Sequence, residues 1–119
     1  MPQIINLIIN QSTFAGSHFK ESIDLALVCA AFDHQVNLIF QHDGVYNLVN
    51  SQQSMIIGEK SQVDLLKGLS FYDIENVYAD FDSMQTRSLG IENLLIDVKL
   101  LNASELNRLN QQADQVVVL

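Results

Sequence analysis

A cysteine thiol is the first side chain to weigh for chemistry in this sequence. Cys29 is the single cysteine among 119 residues. A thiol that attacks or carries sulfur must be exposed, and its thiolate must be stabilised by a helix N-terminus or a nearby cation. Cys29 instead falls near the C-terminal end of a predicted helix, among apolar neighbours, where the helix dipole disfavours an anion. These features favour a buried structural cysteine over a reactive one.

The best polar candidates are His42 and Asp43, which follow a predicted parallel strand. Ligand-binding and catalytic residues of open α/β sheets gather at the carboxyl ends of the strands. His18, at the predicted start of the first helix, could approach this pair and suggests acid–base chemistry. No nucleophile completes the set, although Ser12 and Ser17 stay open. Turn formation and helix capping account for these residues without chemistry, and we favour that interpretation.

Metal and phosphate ligands are sparse. Asp80 and Asp82 could hold a divalent ion in principle, but two carboxylates without further ligands are more typical of a solvated loop. The sequence has no CxxC motif or Cys/His cluster for zinc, and Gly16 alone does not make a phosphate-binding loop. We therefore predict no metal, no cofactor and no catalytic residue.

Strands and helices alternate along the chain, which predicts a three-layer α/β/α fold around a mainly parallel, five-stranded sheet. Gly90 is expected to end the fourth helix in a left-handed cap. The predicted strands are Ile4–Ile9, Val36–Gln41, Asn76–Phe81, Leu94–Val98 and Val116–Leu119. The predicted helices are Ser17 to about Asp33, Val45–Asn50, Ser61–Leu69, Ser83–Leu89 and Asn102–Gln112.

Composition sets the class of protein. A length of 119 residues and 48% hydrophobic character fit a single domain over residues 1–119. The N-terminus does not resemble a signal peptide, and no apolar run approaches the roughly 20 residues that span a bilayer, so we expect a cytoplasmic protein without membrane contact. The net charge is −8, and the six basic residues are scattered, which argues against direct nucleic-acid binding.

The first helix is apolar on two sides. Its segment Leu25–Phe32 contains apolar residues only, although a helix that covers a sheet needs one apolar stripe. One face should meet the sheet: Phe19, Ile23, Ala26, Leu27 and Ala30. A second face is formed by Leu25, Val28, Cys29 and Phe32. Exposing this second face to water would be unfavourable, so we expect a partner subunit to cover it, the alternative being another element of the same chain.

Two segments resemble the TusC/DsrF branch of the DsrE-like sulfur-relay family. They are His42–Leu48 (HDGVYNL) and Gly68–Glu75 (GLSFYDIE). The family has an aliphatic strand that ends in Asp-Gly-Val-aromatic, followed by a Gly-Leu-x-x-Tyr-Asp-Ile-like segment before the third strand. The likeness extends over nearly the whole chain.

The resemblance implies an α/β/α subunit that assembles with TusB-like and TusD-like partners into a heterohexamer with two copies of each. Such an assembly passes persulfide sulfur through a TusE-like carrier towards 2-thiolation of the tRNA wobble uridine, whereas DsrF-type complexes act in sulfur oxidation. Sulfur-carrying relatives have their cysteine just after a central strand. The corresponding stretch, Val77–Asp82, contains no cysteine. The resemblance therefore implies a non-catalytic, structural subunit.

Two other functions stay open from the sequence. The chain could be an independent sulfurtransferase that carries persulfide on Cys29. It could also be a homo-oligomeric protein that binds a small ligand near His42 and Asp43.

Overall fold

The computed structural model of the chain describes residues 2–11, 18–49, 66–69 and 74–119. Within these residues, five strands form one sheet in the order β4-β3-β2-β1-β5, and all neighbouring strands are parallel. This confirms the predicted fold class. The strands are β1 (Ile4–Ile9), β2 (Gln35–Phe40), β3 (Asn76–Asp80), β4 (Lys99–Leu101) and β5 (Gln115–Val118).

The α-helices with both ends in the described residues are α1 (His18–Ala31), α2 (Phe81–Thr86) and α3 (Ala103–Gln112). α1 ends because Asp33 takes a left-handed conformation (φ 65°), which lets the His34 N–H donate to the Cys29 carbonyl at 3.2 Å. α3 begins in a capping box, in which Asn102 and Glu105 each accept the other's backbone N–H, at 2.8 and 3.0 Å. In the same part of the chain, 3₁₀ helices cover His42–Leu48 and Ile91–Asn93.

The order of the strands decides which helix lies on which face. Successive connections from β1 to β4 step across the sheet in one direction, whereas the connection from β4 to β5 returns in the other. Since such crossovers are right-handed, α1 and α2 lie on one face and α3 lies on the opposite face. The main core accordingly includes Leu7 and Leu38 with Ile23 of α1, while Leu106 of α3 packs with Ile8 and Ile39. The three-layer arrangement follows.

Two asparagines are fully buried on the face that carries α3. Asn6 and Asn37 are 0% exposed, and Asn37 Nδ2 donates to Asn6 Oδ1 at 2.8 Å. Asn6 Nδ2 donates in turn to Asn110 Oδ1 at 2.8 Å and to the Leu109 carbonyl at 3.2 Å. Buried amides are costly unless they are hydrogen-bonded. This network therefore ties β2, β1 and the end of α3 together.

Three predicted elements differ from the structure. The predicted strand Leu94–Val98 is wrong, because Leu94 makes an isolated antiparallel bridge with Val49 and the edge strand starts only at Lys99. Gly90 is not a left-handed cap: its φ is −117°, and Ser88, at φ 56°, takes that conformation. The short helix expected over Val45–Asn50 is a 3₁₀ helix that begins at His42.

Part of the predicted Ser61–Leu69 helix and the residues Ser12 and Ser17 lie outside the described residues. Residues 66–69 of that helix are described, and Leu66 and Leu69 among them are buried. Among the described residues, no helix is both long and apolar enough to cross a bilayer.

Candidate functional site

A cluster of polar side chains lies at the carboxyl ends of β2 and β3. It is the best candidate for a functional site, because binding and catalytic residues of parallel sheets usually gather at this edge. The chain turns sharply after β2, where Gln41 N donates to the Ile9 carbonyl at 3.0 Å. Gly44 then passes so close to β1 that an added Cβ would lie 1.8 Å from the same carbonyl oxygen. Only glycine fits this approach. The 3₁₀ helix is thus held against the end of β1, with His42 and Asp43 at its start.

Asp43 is held by an arginine that follows β3. Arg87 donates to Asp43 Oδ1 through Nη2 at 2.9 Å and through Nε at 3.2 Å. The guanidinium also lies 5.8 Å from the centroid of the Tyr46 ring and donates to the Ser83 carbonyl at 3.2 Å. Asp43 is exposed whereas Arg87 is about four-fifths buried. The pair links the loop after β2 to the end of α2.

Ser83 joins His42 to Asp80. Its Oγ donates to Asp80 Oδ2 at 2.6 Å and accepts the His42 backbone N–H at 2.8 Å. His42 itself takes φ 52°, a conformation that is unusual for a residue with a side chain, and its side chain is exposed. The hydroxyl of Ser83 is therefore engaged in stabilising the loop. The cluster fixes the backbone at this edge of the sheet.

Asp80 ends β3, within the stretch Val77–Asp82 that the sequence resemblance relates to the cysteine-bearing segment of sulfur-carrying relatives. It is the N-cap residue of α2, and its carboxylate accepts from Ser83. A carboxylate cannot take up sulfane sulfur. Asp82 is exposed in the first turn of α2, and no group of three or more potential metal-ligating side chains occurs in the described part of the chain.

Cys29 lies at the other end of the sheet. It is in the last turn of α1, which leads into the amino end of β2, and it is half-buried against the main core. β2 has six residues, which at roughly 3.3 Å each put about 20 Å between the two ends of the sheet. The thiol is thus far from the cluster around Asp80.

The other three residues of the second α1 face are exposed. Leu25 is 37% exposed, Val28 53% and Phe32 71%, whereas Ile23 and Ala26 are buried against the sheet. The face predicted to meet the sheet does so at these two positions. Leu25, Val28, Cys29 and Phe32 form a continuous surface that we call the α1 outer face.

The predicted polar candidates are partly brought together. His42 and Asp43 lie at the expected edge, but their partners are Ser83 and Arg87, which the sequence did not indicate. His18 begins α1, and its side chain lies outside the described residues. In the sequence, Arg87 comes one helical turn after Ser83, shortly after a strand ends. This spacing is the one local sign that Arg87 lies at the same edge of the sheet. The 44-residue separation between Arg87 and Asp43 hides the pair from sequence inspection.

The three-layer α/β/α arrangement around a five-stranded parallel sheet is that of small proteins built like the DsrE proteins. The DsrE/DsrF-like family model matches residues 5–119, so the chain belongs to this family. The chain is similar to the YchN protein of E. coli in its crystal structure, with a TM-score of 0.78, 18% identity and full coverage of both chains. At that identity, the likeness shows the fold.

Within this family, the chain resembles proteins of the TusC type. It is 31% identical to the protein TusC homolog of Pseudomonas aeruginosa over 119 residues, which is all of both chains. It is 33% identical to that of Vibrio vulnificus over 113 residues, covering 95% of this chain and 96% of the relative. It is also 35% identical to the intracellular sulfur oxidation protein DsrF of Allochromatium vinosum, over 63% of this chain and 55% of that protein. The predicted TusC/DsrF relationship is confirmed.

Proposed function

We propose that this chain is a structural subunit of a sulfur-relay complex and that it carries no sulfur itself. The observation that carries the proposal is the arrangement at the end of β3. Asp80 stands there with its carboxylate bound to Ser83, while the chain's one thiol is half-buried at the other end of the sheet, roughly one strand length or about 20 Å away. A relay needs a thiolate that the donor and the acceptor can both reach. This subunit offers none at that edge.

The α1 outer face supports a role in assembly. Leu25, Val28 and Phe32 leave a contiguous apolar surface exposed next to the half-buried Cys29. Full burial of such side chains contributes roughly 1.5–3 kcal/mol each, and a partner would gain the share that corresponds to their exposed fractions, so association would be favoured. We propose that another subunit of the complex covers this face. Tyr46, Arg87 and Asp43 would then stiffen the distant edge and shape the neighbouring subunit's site.

We propose TusB-like and TusD-like chains as the partners, in a heterohexamer with two copies of each. The complex would pass persulfide sulfur to a TusE-like carrier for 2-thiolation of the tRNA wobble uridine. We favour this pathway over sulfur oxidation because the TusC homolog of Pseudomonas aeruginosa matches the whole chain, whereas the DsrF relative matches 63% of it. The protein would act in the cytoplasm as a single domain, without contacting nucleic acid or a membrane itself.

Co-expression tests the assembly. The chain is produced together with candidate TusB-like and TusD-like chains, and the mass of the purified material is measured by native mass spectrometry. We expect a species with two copies of each chain. A matched pair of variants, Val28→Lys on the α1 outer face and Glu92→Lys elsewhere on the surface, assigns the contact. We expect the hexamer to be lost with Val28→Lys and kept with Glu92→Lys. A chain that binds neither partner contradicts the proposal.

A further inference from the structure

β5 leaves one edge of the sheet open. Among the described residues, no strand pairs with its outer side. The segment Gln115–Leu119 contains no charged residue and no proline, whereas the opposite edge strand β4 is three residues long and begins with Lys99. Proteins normally protect an edge with charge, proline or brevity, because its unpaired backbone groups recruit another strand. β5 has only its brevity.

Two valines of β5 are also exposed, on the side of the sheet that carries α3. Val116 and Val118 pair in register with Asn6 and Ile8 of β1, so they share the face on which α3 packs. They remain 43% and 61% exposed. Hence, within the described part of the chain, the apolar side chains of this edge are exposed as well as its backbone.

The direction of the backbone groups follows from one hydrogen bond. Leu119 N donates to the Ile8 carbonyl of β1 at 2.8 Å. Hydrogen bonds to one neighbour alternate along a strand, so Val117 also directs its backbone groups towards β1. The N–H and C=O groups of Val116 and Val118 therefore point to the open edge.

We propose that β5 pairs with β5 of a second copy of this chain, antiparallel, about a two-fold axis through Val117. In this register Val116 of each copy faces Val118 of the other, and each such pair exchanges two backbone hydrogen bonds. Two Val–Val pairs then pack across the axis on the α3 side. The two sheets join into one.

A second copy is favoured because the edge is complementary to itself. When a second β5 is placed antiparallel about Val117, the outward-pointing backbone groups of Val116 in one copy lie opposite those of Val118 in the other. The side chains that meet are then both valines. A closed two-fold contact of this kind uses the same patch on both copies. Because each copy carries a net charge of −8, added salt should strengthen the pairing. The contact goes beyond the sulfur-relay assignment and is separate from the α1 outer face.

A disulfide test reads the register directly. In a Cys29→Ala background, Val117→Cys brings two thiols together at a non-hydrogen-bonded pair, where Cα atoms lie roughly 4.5 Å apart, a spacing that permits a disulfide. Gln115→Cys is the matched control, because its two copies would lie about 14 Å apart along the strands. We expect the isolated chain to form a covalent dimer with the first variant only. Equal cross-linking of both, or none with either, overturns the proposal.

Charged substitutions test the same contact without cross-linking. Val118→Lys should weaken self-association about tenfold in sedimentation equilibrium, because each dimer contains two altered pairs. Adding Val116→Glu to it places Glu opposite Lys twice and should restore association. Val28→Lys, which alters a similarly exposed valine on α1, should have no effect. A chain that stays monomeric up to millimolar concentration, or that dissociates only with Val28→Lys, contradicts the two-fold pairing.

Discussion

Phe32→Ala separates the stability of this subunit from its affinity for partners. The side chain is 71% exposed in the chain alone, so the fold buries only about three-tenths of it. Full burial of a Phe side chain contributes up to about 3 kcal/mol, which leaves about 2 kcal/mol for a partner that covers the α1 outer face. We therefore expect the dissociation constant for the partner subunits to rise roughly 30-fold.

In the isolated chain, Phe32→Ala should lower the free energy of unfolding by only about 1 kcal/mol or less, because the fold buries only a small part of the side chain. Urea denaturation of the purified subunit measures this loss, and calorimetric titration with the partner subunits measures the affinity. Phe81→Ala is the control, since this ring is 43% exposed at the start of α2, away from the α1 outer face. If Phe32→Ala and Phe81→Ala change affinity equally, or neither does, the α1 outer face is not the contact.

Three further substitutions test individual contacts that stabilise the fold. Gly44→Ala should destabilise the chain by about 1–3 kcal/mol, because its Cβ would meet the Ile9 carbonyl; a smaller loss in urea denaturation would contradict that close approach. Asn6→Leu should cost about 1–3 kcal/mol by leaving Asn37 Nδ2 without its acceptor, and replacing both asparagines by Leu should recover part of that loss. Arg87→Gln should cost at most about 1 kcal/mol, since Asp43 is exposed, and high salt should shrink the difference.

Hydrophobic patterning predicted four of the five strands closely. Ile4–Ile9 and Val36–Phe40 are aliphatic runs bounded by polar turns, and such runs suit strands that are buried on both faces. Leu94–Val98 has the same pattern, yet it is not a strand in the sheet. Its position depends on Val49, and Leu95 N donates to the Leu48 carbonyl at 2.8 Å. Contacts between distant segments leave no local trace in the sequence.

The candidate site was predictable in location more than in composition. The Asp43-Gly44 pair marked the turn after β2, at the sheet edge where binding and catalytic residues of parallel sheets usually gather. The residues that hold it, Ser83 and Arg87, come from another strand–helix connection and meet it only in the folded chain. The exposed half of α1 was visible in advance, because eight consecutive apolar residues exceed what one sheet-facing stripe requires.

The location of sulfur tests the central claim most directly. The assembled complex is incubated with a cysteine desulfurase and labelled cysteine, and the subunits are separated under non-reducing conditions and analysed by mass spectrometry. We expect the label on a partner subunit, none on this chain, and unchanged transfer when Cys29→Ser is used. A persulfide on Cys29 of this chain, together with loss of transfer in Cys29→Ser, would show that it is a carrier.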